Sequence, residues 1–199
     1  PDVAGYTFDQ AQIDSQTVTP DSKDLAFVVT YSPNMQLAHV KYIDDTTGKT
    51  LTQDDLVGRT NEHSDYHTTD RINEFKHQGY LYVSSTYPDD GLTFDNKDKQ
   101  DQVFEVHLKH GTHKITDKRT VTETVTYRTS DGSETPDKVE RQVEFNRDGY
   151  NDEVTKQDHW NKWQPNKQTF DAVPTPDVKG YTPNIKSVEA KTVTSGDKV

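Results

Sequence analysis

At 199 residues the chain has room for one or two small domains. Only 29% of residues are apolar and mean hydropathy is -1.06, too little for one large core, while 10% aromatics set it apart from disordered compositions. A net charge of -11 works against nucleic acid and anionic membrane surfaces; the absence of cysteine removes disulfides, thiolate metal sites and thiol nucleophiles together.

The first 24 residues, PDVAGYTFDQAQIDSQTVTPDSKD, return at the end as residues 176–199, PDVKGYTPNIKSVEAKTVTSGDKV, at a constant offset of 175. Ten of the 24 positions are identical, among them Gly5/Gly180, Tyr6/Tyr181 and Val18/Val193, and Ile13 faces Val188. Self-similarity at a fixed period marks an array of repeats. The chain therefore reads as one period of a tandem protein cut out of phase, with the tail and last strand of a preceding unit over residues 1–36. Enzymes are rarely built this way; adhesins and stalks commonly are.

Residues 25–31, LAFVVTY, follow as a strand candidate. Their core, Leu25–Val29, is the longest apolar run and falls far short of the roughly 20 residues a membrane helix needs. By the internal repeat this is the closing strand of the preceding unit, and its counterpart would lie beyond Val199. An edge strand with unpaired backbone seeks a partner, so residues 25–31 are expected to pair along the first module's sheet or by swapping into another molecule.

Residues 37–43, LAHVKYI, put Ala38, Val40 and Tyr42 on one face and run into the turn DDTTGK. Residues 69–78 give the best helix signal: Thr69 or Asp70 can cap, Ile72 and Phe75 share a face, and Gly79 ends the run. Residues 103–108, VFEVHL, alternate with Phe104, Val106 and Leu108 together. The polar joint KHGTHK at 109–114 separates two patterned regions. Residues 121–127 set Val121, Val125 and Tyr127 against three threonines, and residues 139–145 set Val139, Val143 and Phe145 against Glu140, Gln142 and Glu144. Both have the period of a sheet with one wet face. A weaker helix is predicted at 156–162, ended by Pro165, and a turn around Thr169–Val173. The fold class is α+β and sheet-dominated, with about one short helix per domain, and short polar joints favour an extended rod.

HVKYIDDTTGKTL at 39–51, the Gly79-Tyr80 entry and VFEVHLKH together resemble a MucBP module. TVTETVTYRTSDG, FNRDGYNDEVT, WQPNKQTFDAV and PDVKGYTPNIKSVEAKTVT resemble the second module that follows MucBP in Mub-type mucus-binding repeats of lactobacillus-type surface proteins. The resemblance implies two β-grasp (ubiquitin-like) domains end to end. They are a MucBP-type module over 37–110 and a second module over 111–199 lacking its final strand. It further implies an extracellular, wall-anchored adhesin binding mucin glycoproteins, flanked by neighbouring repeats, with immunoglobulin binding as the alternative and a structural spacer as the third reading.

Candidate sites are weighed against ordinary structural roles. Asp44 and Asp45, and Asp89 and Asp90 near Asp95 and Asp98, invite loose calcium, yet neither cluster has calcium-loop spacing and turn chemistry accounts for both. No cofactor is otherwise expected. His107, His110 and His113 step by three along a strand, which sends neighbours to opposite faces and away from one shared zinc. Trp160 and Trp163 offer a flat platform for sugar, against the favoured reading that at least one of them fills the small core of the second domain. Exposed tyrosines are the better contacts: Tyr66, Tyr82 and Tyr87 in the first module, and Tyr150 in the second, with Trp160 beside it. No G-x-S-x-G elbow and no cleft-forming carboxylate pair emerges, so the chain is not expected to be an enzyme.

Overall fold

The computed structural model describes residues 1–197 and divides into two compact units, Pro1–Gly111 and the part from Thr112 onward. It is sheet-dominated, with one short helix among the described residues. No helix among them is long and apolar enough to cross a membrane.

In unit 1, a short pair comes first: β1 (Tyr6–Phe8) runs antiparallel to β2 (Tyr31–Pro33). Residues 25–30, predicted as strand, form none. Leu25, Phe27 and Val28 are 53%, 48% and 78% exposed, so the run buries no apolar face that would hold it as a strand. Pairing begins only at Tyr31, where the ring of Phe8 meets it edge-on at 6.1 Å.

β3 (Met35–Asp44) follows, with Ala38, Val40 and Tyr42 wholly buried, as its alternation predicts. It pairs antiparallel with β4 (Lys49–Arg59) across the DDTTGK turn, where Gly48 takes φ 72. α1 (Thr68–His77) comes next, then β5 (Tyr80–Ser85) and β6 (Gln102–His110). β6 lies parallel to β3, with Val40 opposite Phe104, and gives the sheet order β4-β3-β6-β5. The predicted helix is present, but its N-cap is His67 and no side chain caps it; packing stabilises it instead. Phe75 sits 5.6 Å from both Tyr42 and Tyr80, clamping the helix to the sheet.

In unit 2, β7 (Thr112–Val125) and β8 (Val139–Asp152) form a long antiparallel hairpin with Val121 opposite Val143. β9 (Asp158–Trp160) adds to β8. Two small ribbons complete the unit: β10 (Gln168–Phe170) and β11 (Val173–Pro174) pair with β13 (Lys191–Val193) and β12 (Ser187–Val188), respectively. The core is Val121, Phe145, Phe170 and Val193, with Val143 and Trp163 packed against it. The helix predicted at 156–162 is instead strand β9 and its flanks, and the turn predicted around Thr169–Val173 carries β10 and β11.

Candidate functional site

Unit 2 holds a concavity. A groove of about 510 Å³ lies between the end of β7 with its following loop and the segment 175–188. Val125, Tyr127, Pro136, Val178, Tyr181 and Ile185 are among its lining residues. Its floor and rim come from strand ends and turns because β7 stops at Val125, two residues before Tyr127, and the chain then loops back through Gly132 at φ 76. The Tyr127 hydroxyl is buried and, among the described residues, has no hydrogen-bond partner. A buried donor left unmade is costly, about 1–3 kcal/mol. At the rim, the Tyr181 hydroxyl donates to Asp131 Oδ2 at 2.8 Å and meets Ser133 Oγ at 3.1 Å. The Ser133 side chain, its backbone N–H and then Tyr181 hold the Asp131 pKa down at about 2, so this carboxylate stays ionised and keeps the Tyr181 hydroxyl in place. The groove thus combines apolar and hydroxyl-bearing walls, two tyrosines and the cationic side chain of Arg128. That suits a polar ligand with an apolar face.

The predicted contact residues fall in different places. Tyr82 and Tyr150 are exposed at 45% each, as expected, and Tyr150 stacks on His159 at 4.7 Å. Tyr66 and Tyr87 correct the expectation of exposure. Tyr87 is buried and its hydroxyl donates to the Tyr66 carbonyl at 2.9 Å. The Tyr66 hydroxyl donates to Asp54 at 2.6 Å and shares a bond with Tyr42. Burial, then these bonds, pushes the Tyr66 pKa far up, so it serves as a fixed structural donor. Trp160 is half-buried and one face is covered: the Arg147 guanidinium lies 4.4 Å from its ring and 4.4 Å from that of Trp163. Asp117 holds the same arginine by two bonds, at 3.0 and 2.7 Å. Trp163 packs on the core, as the bland reading of the tryptophans had it.

The aspartates act mainly in turns and pairs. Asp44 is buried and accepts from the Thr46 N–H, the Thr47 hydroxyl and His110 Nε2. Asp45 faces His107 Nδ1 at 2.7 Å, and Asp89 and Asp90 are exposed ahead of Gly91. The three histidines spaced by three meet three different acids: Asp45, Asp44 and Glu153.

These pairs make unit 1 pH-sensitive. Asp55, then Asp101, raises the pKa of His39, and Asp45 raises that of His107. The native state therefore holds these protons more tightly than the unfolded chain. Their contribution is complete below about 6.5 and is lost as pH rises through the higher folded values. Burial works to raise the Asp44 pKa, but the bonds from Thr47, Thr46 and His110 outweigh it and lower it; His39 lowers that of Asp55. That contribution holds above the ordinary 3.8 and fails as pH falls through the depressed values. The thermal midpoint of unit 1 is expected to be higher at about pH 5.5 than at about pH 8.5. A midpoint that rises over that interval contradicts the assignment.

Known proteins place this geometry. A family model described as a mucin binding domain matches residues 36–110, and one described as a Muc B2-like domain matches residues 1–35 and 112–199. The solved structure of Mub-RV is similar at 36% identity and a TM-score of 0.75, covering 82% of this chain and 93% of that one. The type 2 repeat of the mucus binding protein MUB from Lactobacillus reuteri is similar at 34% identity and a TM-score of 0.58, covering 81% of this chain and 92% of that one. A search of curated proteins found no match. With most of its length matched in this way, the chain belongs to the Mub-type mucus-binding repeat family.

Proposed function

We propose that this chain is an extracellular adhesion repeat that binds mucin glycoproteins through weak glycan contacts, summed over neighbouring repeats of a wall-anchored parent. The observation that carries the reading is the mucin binding domain match over residues 36–110, beside similarity to Mub repeats over nearly their whole length. Each site can be weak, because linked sites raise avidity by roughly 10²–10⁴ without new contacts. In this reading unit 1 is a β-grasp module: a hairpin, a helix across it, and β6 parallel to β3. The groove beside Tyr127 is the leading glycan site, with Tyr82, Tyr150 and the open face of Trp160 as further contact points.

The alternative, immunoglobulin capture by strand addition, is favoured by one feature. β5 is an edge of its sheet and leaves Leu81, Tyr82 and Val83 exposed at 47%, 45% and 45%.

Binding to immobilised mucin before and after mild periodate separates the two. Loss of most binding after oxidation supports glycan recognition, and Tyr181→Ala, which opens the groove rim, is then expected to weaken it by about tenfold, or 1.4 kcal/mol. Retention of binding after oxidation, with immunoglobulin fragments also captured, moves the assignment to the β5 edge.

A further inference from the structure

The repeated ends carry an inference that does not depend on what the protein binds. Residues 1–7 and 176–182 differ only at Ala4/Lys179. They fold into the same turn. The Tyr6 N–H donates to the Val3 carbonyl at 3.0 Å, the Tyr181 N–H donates to the Val178 carbonyl at 3.0 Å, and Gly5 and Gly180 take φ 77 and 89. Their surroundings differ.

Gly5 is buried in a polar socket of unit 1. Its carbonyl accepts from the Asn34 N–H at 2.8 Å and the Thr60 hydroxyl at 2.9 Å, and its N–H donates to Asp98. The socket is itself cross-braced: Gln36 Nε2 donates to Thr60 Oγ1 at 3.0 Å and to Asp98 Oδ1 at 2.7 Å, and Asn34 Nδ2 donates to Asp98 Oδ2 at 3.0 Å. Gln36 and Thr60 are each 4% exposed. A Cβ on Gly5 would come within 2.7 Å of Thr60 Oγ1 and 2.8 Å of Asn96 Cβ, so the socket accepts glycine alone. Gly180 is exposed, and a Cβ there would meet nothing within 4 Å. The Tyr181 hydroxyl meanwhile ties the turn to Asp131 and Ser133 of its own unit.

We propose that the turn Val178–Thr182 is a plug for a second copy of unit 1, that of the following repeat, and that its glycine enters the socket of Asn34, Gln36, Thr60 and Asp98 there as Gly5 does here. One turn would then belong to two modules: Tyr181 anchors it to its own groove, and Gly180 locks the next unit. Positive φ explains a glycine at 180, and the bonds to Asp131 and Ser133 explain Tyr181, but neither explains Thr182; Thr7, its counterpart, donates to Asn34 Oδ1 at 2.6 Å in the occupied socket.

The test is a longer polypeptide in which residues 25–199 of a second copy follow Val199 of the first, so that residues 176–199 stand where residues 1–24 stand in the single chain. Lys179→Arg in the first copy gives the junction turn a mass distinct from both the front turn, which has Ala4, and the rear turn, which keeps Lys179. Amide hydrogen exchange is then read by mass spectrometry on three homologous peptides: the front turn, the junction turn and the rear turn. The junction is expected to exchange at least about tenfold more slowly than the rear turn and to approach the front turn, since opening a docked segment requires breaking its contacts. Thr60→Val in the second copy alone should abolish the junction's protection while the front turn keeps its own. A junction that exchanges like the rear turn overturns the proposal.

Discussion

Phe145→Ala is expected to unfold unit 2 near body temperature while unit 1 melts as before. Phe145 is fully buried at the centre of the four-residue core, touching the layer formed by Val121, Phe170 and Val193. Truncating a buried phenylalanine costs about 3–5 kcal/mol. A small unit whose core is four side chains supplies little more than about 3–5 kcal/mol in total. The cavity cannot close easily, because β7 and β8 are paired along their whole length and hold Val121 and the position of Phe145 in place. Calorimetry should show the unit 2 transition lost or displaced by tens of degrees, with the unit 1 transition unmoved. A single transition that shifts as a whole would mean that the units melt together.

Asp44→Ala should have the second large effect, and in the other unit. The carboxylate is 2% exposed and serves three donors: the Thr46 N–H, the Thr47 hydroxyl and His110 Nε2 at 3.1 Å. Removing it takes away the acceptor these three groups share and loosens the turn that joins β3 to β4. The loss is about 3 kcal/mol, equivalent to roughly 10–20 °C in the thermal midpoint of a unit this size. Asp44→Asn keeps the shape and part of the bonding and should fall between. The same pair of variants distinguishes the turn role from a calcium role. If the wild-type midpoint does not respond to chelator while Asp44→Ala lowers it, the carboxylate acts by hydrogen bonding. A chelator effect matching that of the substitution would restore calcium.

How far such roles could be read in advance depends on the kind of order involved. Strand β3 was legible because Ala38, Val40 and Tyr42 bury one face over ten residues, a period long enough to stand out. The hairpin β7–β8 was legible in the same way through Val121 and Phe145, although both strands run well past the predicted segments. Strands β10 to β13 span two or three residues each and have no period to detect. The helix expected at 156–162 failed for a different reason. Trp160 and Trp163 are three apart, as on a helix face, but their rings converge on Arg147, a long-range partner that no local pattern contains. Tyr66 and Tyr87 were misplaced because a tyrosine in a polar stretch reads as exposed, whereas here their hydroxyls find Asp54 and a backbone carbonyl inside the unit. The groove escaped notice because Tyr127 and Tyr181 come from loops 54 positions apart, and only the fold brings them to one wall.

The parallel pairing of β3 with β6 has a mechanical consequence. β3 opens the sheet of unit 1 and β6 closes it, running side by side in the same direction from Ala38 opposite Gln102 to Asp44 opposite Leu108. Tension applied at the start of β3 and the end of β6 pulls the two strands along their length in opposite senses. The bonds between them are then loaded together in shear and cannot open one after another like a zipper. Forced rupture is governed by the unfolding rate, and a barrier that requires many bonds to break at once makes that rate small. If the chain serves in a surface adhesin as proposed above, pull between the two ends of this sheet loads unit 1 in its resistant direction.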